Sequence, residues 1–342
     1  MTGERPTLDT VAAAAGVSRM TVSNAYNRPD QLAPETRARV LTVAAELGYG
    51  GPDPTAASLR LRRTGTIGVV LTERLPYAFA DPGLLTILHG IASELSDSGT
   101  ALLLVPARPV GGGSQLRSAL VDAVILCSVS PADPAVAAAR ERQVPIVTVG
   151  TPRLPHVPRV GVDNRRAAAA VAEHLLGLGH RRCAVLTTVT DAGAGRVRPI
   201  FGERVNGFRA AIRAGGGEIS VLCAGDNSRP AGRDAVAELL RSPKRTRPTA
   251  LFAVTDILAL GVLDAAQDAG LEVPRRLSVA GFDDIPAAAE AAPSLTTVAH
   301  DLFGQGRAAA RLAKRLIAGE SVRPPRIRAE LVIRDSTARA GR

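Results

Sequence analysis

At 342 residues the chain is longer than one ordinary hydrophobic core organises, so two or three domains are expected. Hydrophobic residues at 46% and charged residues at 22% exclude a disordered chain, and with aromatics at 3% the cores must be built mainly from Ala, Val, Leu and Ile. The formal charge of +10 points to a polyanionic partner, but residues 1–64 hold eight Arg against six acids, so +8 of the excess lies on the remainder.

The first 50 residues read as three helices. Thr7 caps a helix to about Ala15, Gly16 permits a tight turn, and Ser18 caps a second helix from Arg19 to about Tyr26. Asn27 to Ala33 is a polar loop. Pro34 opens a third helix through Leu47, which Gly48 ends. Val11, Ala12, Ala15, Val22, Val40, Ala44 and Leu47 supply one small core. This pattern fits either a plain helical subdomain or a helix-turn-helix. The outward residues favour the second: Arg19 opens helix two, and Thr21, Ser23, Asn24 and Asn27 offer small polar groups for phosphates and base edges.

Residues 51–63, GPDPTAASLRLRR, form a Pro/Gly-punctuated connector with a short helix starting near Pro54. From Thr66 the texture becomes strand–helix alternation. Apolar runs lie at 66–71, 101–106, 121–127, 144–150, 183–187, 251–254 and 277–282, with helical segments at 164–178, 203–214, 256–269 and 305–318 among them. Short buried strands between helices indicate parallel sheets covered on both faces, here two doubly wound lobes with a ligand cleft between them.

No signal-peptide pattern opens the chain, and no run of about 18 apolar residues occurs, so a cytoplasmic protein with no membrane partner is expected. Cys127, Cys183 and Cys223 lack metal-ligand spacing, and Cys127 and Cys183 sit in apolar runs as small hydrophobes. The five His show no HExxH, no GxSxG occurs, and the glycine-rich AGAGR at 192–196 lacks a phosphate-binding Lys. Neither catalysis nor a metal or cofactor is indicated.

TLDTVAAAAGVSRMTVSNAYN (7–27) followed by PETRARVLTVAAELGY (34–49) resembles the headpiece of the lactose-repressor (LacI/GalR) family. The matching pieces are TL-x-x-VA, AGVS, TVS, a following Asn, TR-x-RV and ELGY, in order. The resemblance continues to about residue 337 through VGVDNRRAAAAVAEHLLGLGHRR (160–182), RVNGFRAA (204–211), TDILALGVLDAAQDAGLEVPRRLSVAGFDD (255–284) and PSLTTV (293–298). It implies an all-α helix-turn-helix headpiece (1–50), a hinge (51–63) and an α/β effector-binding core (64–342) resembling periplasmic binding proteins. Within the core, one subdomain takes about 64–180 and 298–322, the other about 181–297 and 323–342.

The resemblance also implies roles. Arg19, Met20 and Asn24 fall at base-reading positions, where Arg19 can pair with guanine and Met20 can only pack. Thr7, Thr21, Ser23 and Asn27 fall where the family contacts phosphate or caps the helix, and Tyr49 of ELGY joins the DNA-facing set. PDPTAASLR (52–60) matches the hinge helix that forms on operator DNA, with Leu59 as the minor-groove wedge. Phe79, Asp163, Arg204, Asn227, Thr255, Asp256 and Asp283 match effector-cleft positions. Two departures stand out: Thr10 replaces an Asp in helix one, and Ala33 replaces the Ser-type cap of helix three. The function implied is a homodimeric repressor on a pseudo-palindromic operator, controlled by a small molecule, with a sugar the family's commonest effector. The competing readings are a solute-binding protein for import, which needs a signal peptide and no headpiece, and a Rossmann-like enzyme, which needs a glycine motif opening a helix.

Overall fold

The computed structural model describes residues 6–52, 63–71, 75–106, 115–188 and 198–341. They form two compact units, one up to Thr64 and one from Gly65. Leu59, with most of the hinge, and the AGAGR loop lie outside the described residues.

The first unit holds helices α1 (Leu8–Ala15), α2 (Arg19–Asn27) and α3 (Pro34–Glu46) around Val11, Ala12, Ala15, Val22, Ala25, Val40 and Ala44. Leu47, expected in this core, is exposed instead, because it follows α3 as its C-cap. Thr10 makes good its departure from the motif: its hydroxyl accepts the Thr7 N–H at 3.2 Å while the Thr7 hydroxyl accepts the Thr10 N–H at 3.3 Å, a reciprocal cap. Ala33 gives α3 no side-chain cap, so Pro34 at the first position, with its φ preset for a helix, marks that start.

The second unit contains two parallel sheets. The first runs β2-β1-β3-β4-β5, with β1 Thr66–Leu71, β2 Ala101–Pro106, β3 Ala123–Cys127, β4 Ile146–Val149 and β5 Arg159–Val160. The second runs β7-β6-β8-β9, with β6 Arg182–Thr188, β7 Glu218–Ala224, β8 Ala250–Ala253 and β9 Ser278–Ala280. A separate antiparallel pair joins β10 Thr297–His300 to β11 Ala329–Val332. Strands such as β3 are buried at every position, as their unbroken apolar sequence requires between two helical layers. β7 is not continuously apolar: it lies at a sheet edge, and only Ala224 at its end is buried.

The buried clusters divide the chain differently from its sequence order. Helix Asn164–Gly177 lies before residue 180, within the sequence span expected for the first lobe, yet its Ala167, Ala168, Val171, Ala172 and Leu175 belong to the second lobe's core. The chain therefore crosses between lobes right after β5. Helix Leu302–Ile317, late in sequence, returns to the first lobe and packs on helix Pro82–Leu95. Among the described residues no helix is long and apolar enough to cross a membrane.

Candidate functional site

In the headpiece, Gly16 takes a left-handed φ of 65°, which turns the chain between α1 and α2. The Ser18 hydroxyl then accepts the Thr21 N–H at 3.1 Å and caps α2. This presents Arg19 and Met20 outward, with Met20 66% exposed although it is a large apolar side chain. Asn27 is exposed, and Thr21 and Asn24 are partly so. Ser23 differs from the expected surface role: it is buried and accepts a hydrogen bond from the Asn27 amide at 3.3 Å. Thr7 is spent on its cap, and Tyr49 packs edge-on against Tyr26 with ring centroids 6.0 Å apart. The Asp9 carboxylate lies 3.0 Å from Arg19 Nε, which leaves the two terminal nitrogens of the fork for another acceptor.

Between the two lobes of the core lies a cavity of about 70 Å³. Arg204, on helix Pro199–Ala214, is 3% exposed and lines it. Its Nε donates to Asn164 Oδ1 at 3.0 Å, and its Nη1 donates to the Val254 carbonyl at 2.6 Å and to Asp283 Oδ1 at 3.0 Å. The guanidinium lies 3.6 Å over the Phe282 ring. Burial pulls its pKa down, and the adjacent Asp283 opposes this.

Asp283 follows β9 with φ 116°, a region a non-glycine residue occupies only where its surroundings hold it. The hold is visible: its N–H donates to the Val298 carbonyl at 3.0 Å. Its Oδ1 also meets His300 Nε2 at 3.2 Å. The Gln305 amide donates to His300 Nδ1 at 2.7 Å, so the ring proton sits on Nε2 and points at Asp283. Among the described residues Asp283 Oδ2 and Arg204 Nη2 make no hydrogen bond, although both side chains line the cavity.

The lobes also touch through Asn227. Its amide donates to Asp81 Oδ2 at 3.2 Å across the cleft and accepts from the Thr255 hydroxyl at 2.6 Å. Asp81 meanwhile caps helix Pro82–Leu95 through the Gly83 and Leu84 N–H groups.

Of the seven residues expected in the cleft, Arg204, Thr255 and Asp283 line the cavity, and Asn227 lies just behind Thr255. Three do not reach it. Phe79 is 61% exposed; the aromatic wall is Phe201, buried and stacked beneath Arg198 at 5.3 Å. Asp163 caps helix Asn164–Gly177 by accepting the Arg166 N–H at 3.0 Å, and its neighbour Asn164 faces the cavity instead. Asp256 is fully buried, accepting from the Ile285 N–H at 2.9 Å and the Thr297 hydroxyl at 2.5 Å, and so pins the loop that carries Asp283.

Asp81, Phe201, His300 and Gln305 were missed. Two of them left a signal. Asp-Pro before an apolar helix marks Asp81 as a cap, and Gln305 is a polar residue within the buried stripe Leu302, Gly306, Ala309. Cys127 also lines the cavity as a neutral thiol, its pKa pushed up to about 12 by burial.

Burial, and then the charge on Asp283, pushes the Asp256 pKa up to about 7. The folded protein thus holds this proton more tightly than the unfolded chain. The stability it contributes is complete below about pH 3.8 and lost as the pH rises through about 7. His174 and His180 act in the opposite sense: burial lowers their pKa, so acidification below about 6.5 destabilises the fold. Asp256→Asn should therefore raise the melting temperature relative to wild type at pH 8 more than at pH 5. An equal difference at both pH values would show that Asp256 is not the titrating group.

Residues 7–51 match the family described as bacterial regulatory proteins, lacI family, and residues 172–337 match the periplasmic binding protein-like domain. The HTH-type transcriptional regulator IpsA of Corynebacterium glutamicum is 38% identical over 341 residues, covering 93% of this chain and 93% of that protein. Among solved structures, a complex of the transcriptional regulator CelR with cellobiose is 34% identical with a TM-score of 0.67, over 97% of this chain and 100% of that one. The lac repressor dimer bound to operator and the anti-inducer ONPF is 25% identical with a TM-score of 0.77, over 98% of this chain and 100% of that one.

Proposed function

The chain belongs to the lacI family of bacterial regulatory proteins, and on that premise we propose that it is a homodimeric, operator-binding repressor whose DNA affinity is set by a sugar or sugar-like effector held between its two lobes. It is a DNA-binding transcriptional regulator rather than a solute-binding protein for transport. The division we propose is headpiece 1–50, hinge 51–63 and core 64–342. The observation that carries the effector reading is the pairing of an unbonded carboxylate oxygen on Asp283 with an unbonded guanidinium nitrogen on Arg204 in the lining of one cavity. A hydroxyl donates to the first and accepts from the second, so neighbouring hydroxyls of a sugar satisfy both, while a ligand lacking them leaves buried polar groups unpaired. Phe201 supplies the apolar wall on which a sugar ring face can rest.

A cavity of about 70 Å³ is smaller than a bound disaccharide needs, so the lobes must part to admit one. Parting them breaks the Asp81–Asn227 bond, and an effector that favours one degree of closure shifts the population of lobe arrangements. That shift would reach the operator through the hinge, where Leu59 is the minor-groove wedge. In the headpiece, Arg19, Met20 and Asn24 read bases; Thr21, Asn27 and Tyr49 sit against the DNA backbone, Thr7 caps the first helix, and Ser23 holds Asn27 in place.

The test is a melting-temperature screen of the full-length protein against cellobiose, other sugars and nucleosides, followed by gel shifts on the DNA upstream of its own gene. A sugar that raises the melting point should change operator affinity at least tenfold. Stabilisation by nucleosides alone would overturn the sugar reading. Arg19→Ala should weaken operator binding by about 1–3 kcal/mol per half-site and erase discrimination at a single guanine. Equal loss on every sequence would place Arg19 on phosphate.

A further inference from the structure

Most of the positive charge lies away from the headpiece, and the structure shows where much of it converges. The effector cavity takes Thr255 and Asp283 from the loops that follow the C-terminal ends of β8 and β9. At the opposite, N-terminal ends of β6, β8 and β9 there is a second hollow, of about 320 Å³. Arg182, Lys244, Arg247, Arg275, Arg276 and Arg339 line it, and no acid does among the described residues. They come from four separate stretches of chain: the start of β6, the loop before β8, the loop before β9 and the C-terminal segment.

This cluster is poorly neutralised. Glu272 pairs with Arg275 at 3.4 Å, and Glu218 is the register neighbour of Arg182 on the adjoining strand. The side chains of Lys244, Arg276 and Arg339 carry no ion pair or hydrogen bond among the described residues. Like charges gathered in a concave site repel one another, which costs stability unless an anion fills it.

The hollow is also built on ordered ground. His180, 2% exposed, forms part of its wall, with ring nitrogens bound to the Thr249 hydroxyl at 2.9 Å, the Ser278 hydroxyl at 3.1 Å and the Ala338 carbonyl at 3.0 Å. Arg247 Nη1 donates to the Leu240 carbonyl at 3.0 Å, which fixes the loop, and Arg182 Nε reaches the Arg247 carbonyl at 3.5 Å.

We infer that this hollow is a second ligand site, for a small molecule bearing two or more linked or neighbouring phosphate groups. Guanidinium forks bind phosphate oxygens two at a time, and five of the six cations are Arg. A single phosphate brings at most two negative charges to six positive ones, so a polyphosphorylated ligand matches better. The phosphates of a DNA duplex are spaced along a rod, whereas these side chains converge on one hollow. The volume falls at the lower end of small-ligand pockets, roughly 300–1,000 Å³. Such a ligand joins all four stretches of the second lobe and stabilises it independently of the cleft.

Calorimetric titration of the full-length protein with tripolyphosphate near 150 mM salt should show one saturable site per chain. Orthophosphate should bind at least tenfold more weakly. Adenosine triphosphate and fructose 1,6-bisphosphate form two further arms, and the tightest of the three distinguishes a bare polyphosphate from a nucleotide or a sugar bisphosphate. The triple exchange Lys244→Ala, Arg276→Ala and Arg339→Ala should weaken tripolyphosphate at least tenfold, with a ligand-free melting temperature equal to or above wild type. The single exchange Lys244→Ala repeats the test on one exposed side chain. Gly202→Ala, which meets nothing within 4 Å, should leave the binding intact, and the binding needs no occupant of the cleft, so failure here and failure of the effector reading remain separate results. Unsaturable binding, unchanged affinity in the variants, or tighter binding of citrate than of tripolyphosphate would overturn the proposal. So would a triple variant with weakened operator affinity and a shallower salt dependence, which would place the surface on nucleic acid.

Discussion

Arg204→Ala should destabilise the core by about 3 kcal/mol and abolish stabilisation by any sugar that occupies the cavity. The exchange removes one partner of a buried pair and leaves the Asp283 carboxylate with only His300 beside it. It also strands the Val254 carbonyl and Asn164 Oδ1, which lose the donors bonded at 2.6 Å and 3.0 Å. For a unit of this size the melting temperature should fall by about 6–12 °C. Arg204→Lys separates the two consequences. A lysine retains the positive charge next to Asp283 but has no planar fork, so it should recover much of the stability and little of the ligand response. If Arg204→Ala melts within a degree of wild type and still responds to the sugar, the centre of the cavity is elsewhere.

Gly306→Val should cost at least about 3 kcal/mol, through a contact that has nothing to do with the ligand. Helices Pro82–Leu95 and Leu302–Ile317 cross backbone to backbone. A Cβ on Gly306 would lie 2.0 Å from the Ile87 carbonyl oxygen, and one on Gly90 would lie 2.1 Å from that of Phe303. Neither oxygen can swing aside, because each belongs to a helix backbone, so the helices must separate and lose packing along their whole contact. Gly202→Ala is the control. It also replaces a helical glycine, but nothing lies within 4 Å of the added carbon, so it should be neutral or stabilising by about 0.5–1 kcal/mol. Urea unfolding of both variants checks the pair; a Gly306→Val midpoint equal to wild type would mean the helices do not meet as closely as described.

Both predictions concern residues whose importance lies in what approaches them from a distant part of the chain, and this marks the limit of what sequence pattern discloses. The headpiece was legible almost residue by residue. Its caps at Thr7 and Ser18, its turn at Gly16 and its start at Pro34 are local devices, each settled within about four residues. Leu47 was misread because an apolar residue at a helix end can face either way, and only the packed structure shows which. In the core, runs such as VVL and AVILC declared buried strands, while the edge strand β7, half exposed, did not.

The sequence by itself determined the classes of element, the helix-turn-helix motif and the presence of an Arg and several Asp suited to a polar ligand. Only the tertiary structure decided which of those groups share a cavity. Asp163, Asp256 and Asp283 are the same residue type in similar loop-to-helix settings, yet one caps a helix in solvent, one is buried beneath a loop and one faces Arg204. Short-range spacing cannot separate these fates, because Asp163 finds its partner three residues on, whereas Asp256 meets Thr297 across 41 positions and Asp283 meets Arg204 from another helix of the lobe. The same is true of Asp81 and Asn227, which hydrogen-bond across 146 positions of sequence, and of the six cations at the far end of the second sheet, brought together from positions 182 to 339. Local hydrogen bonding and apolar period write the elements into the chain; the convergence of distant side chains is a property of how the sheets and helices pack.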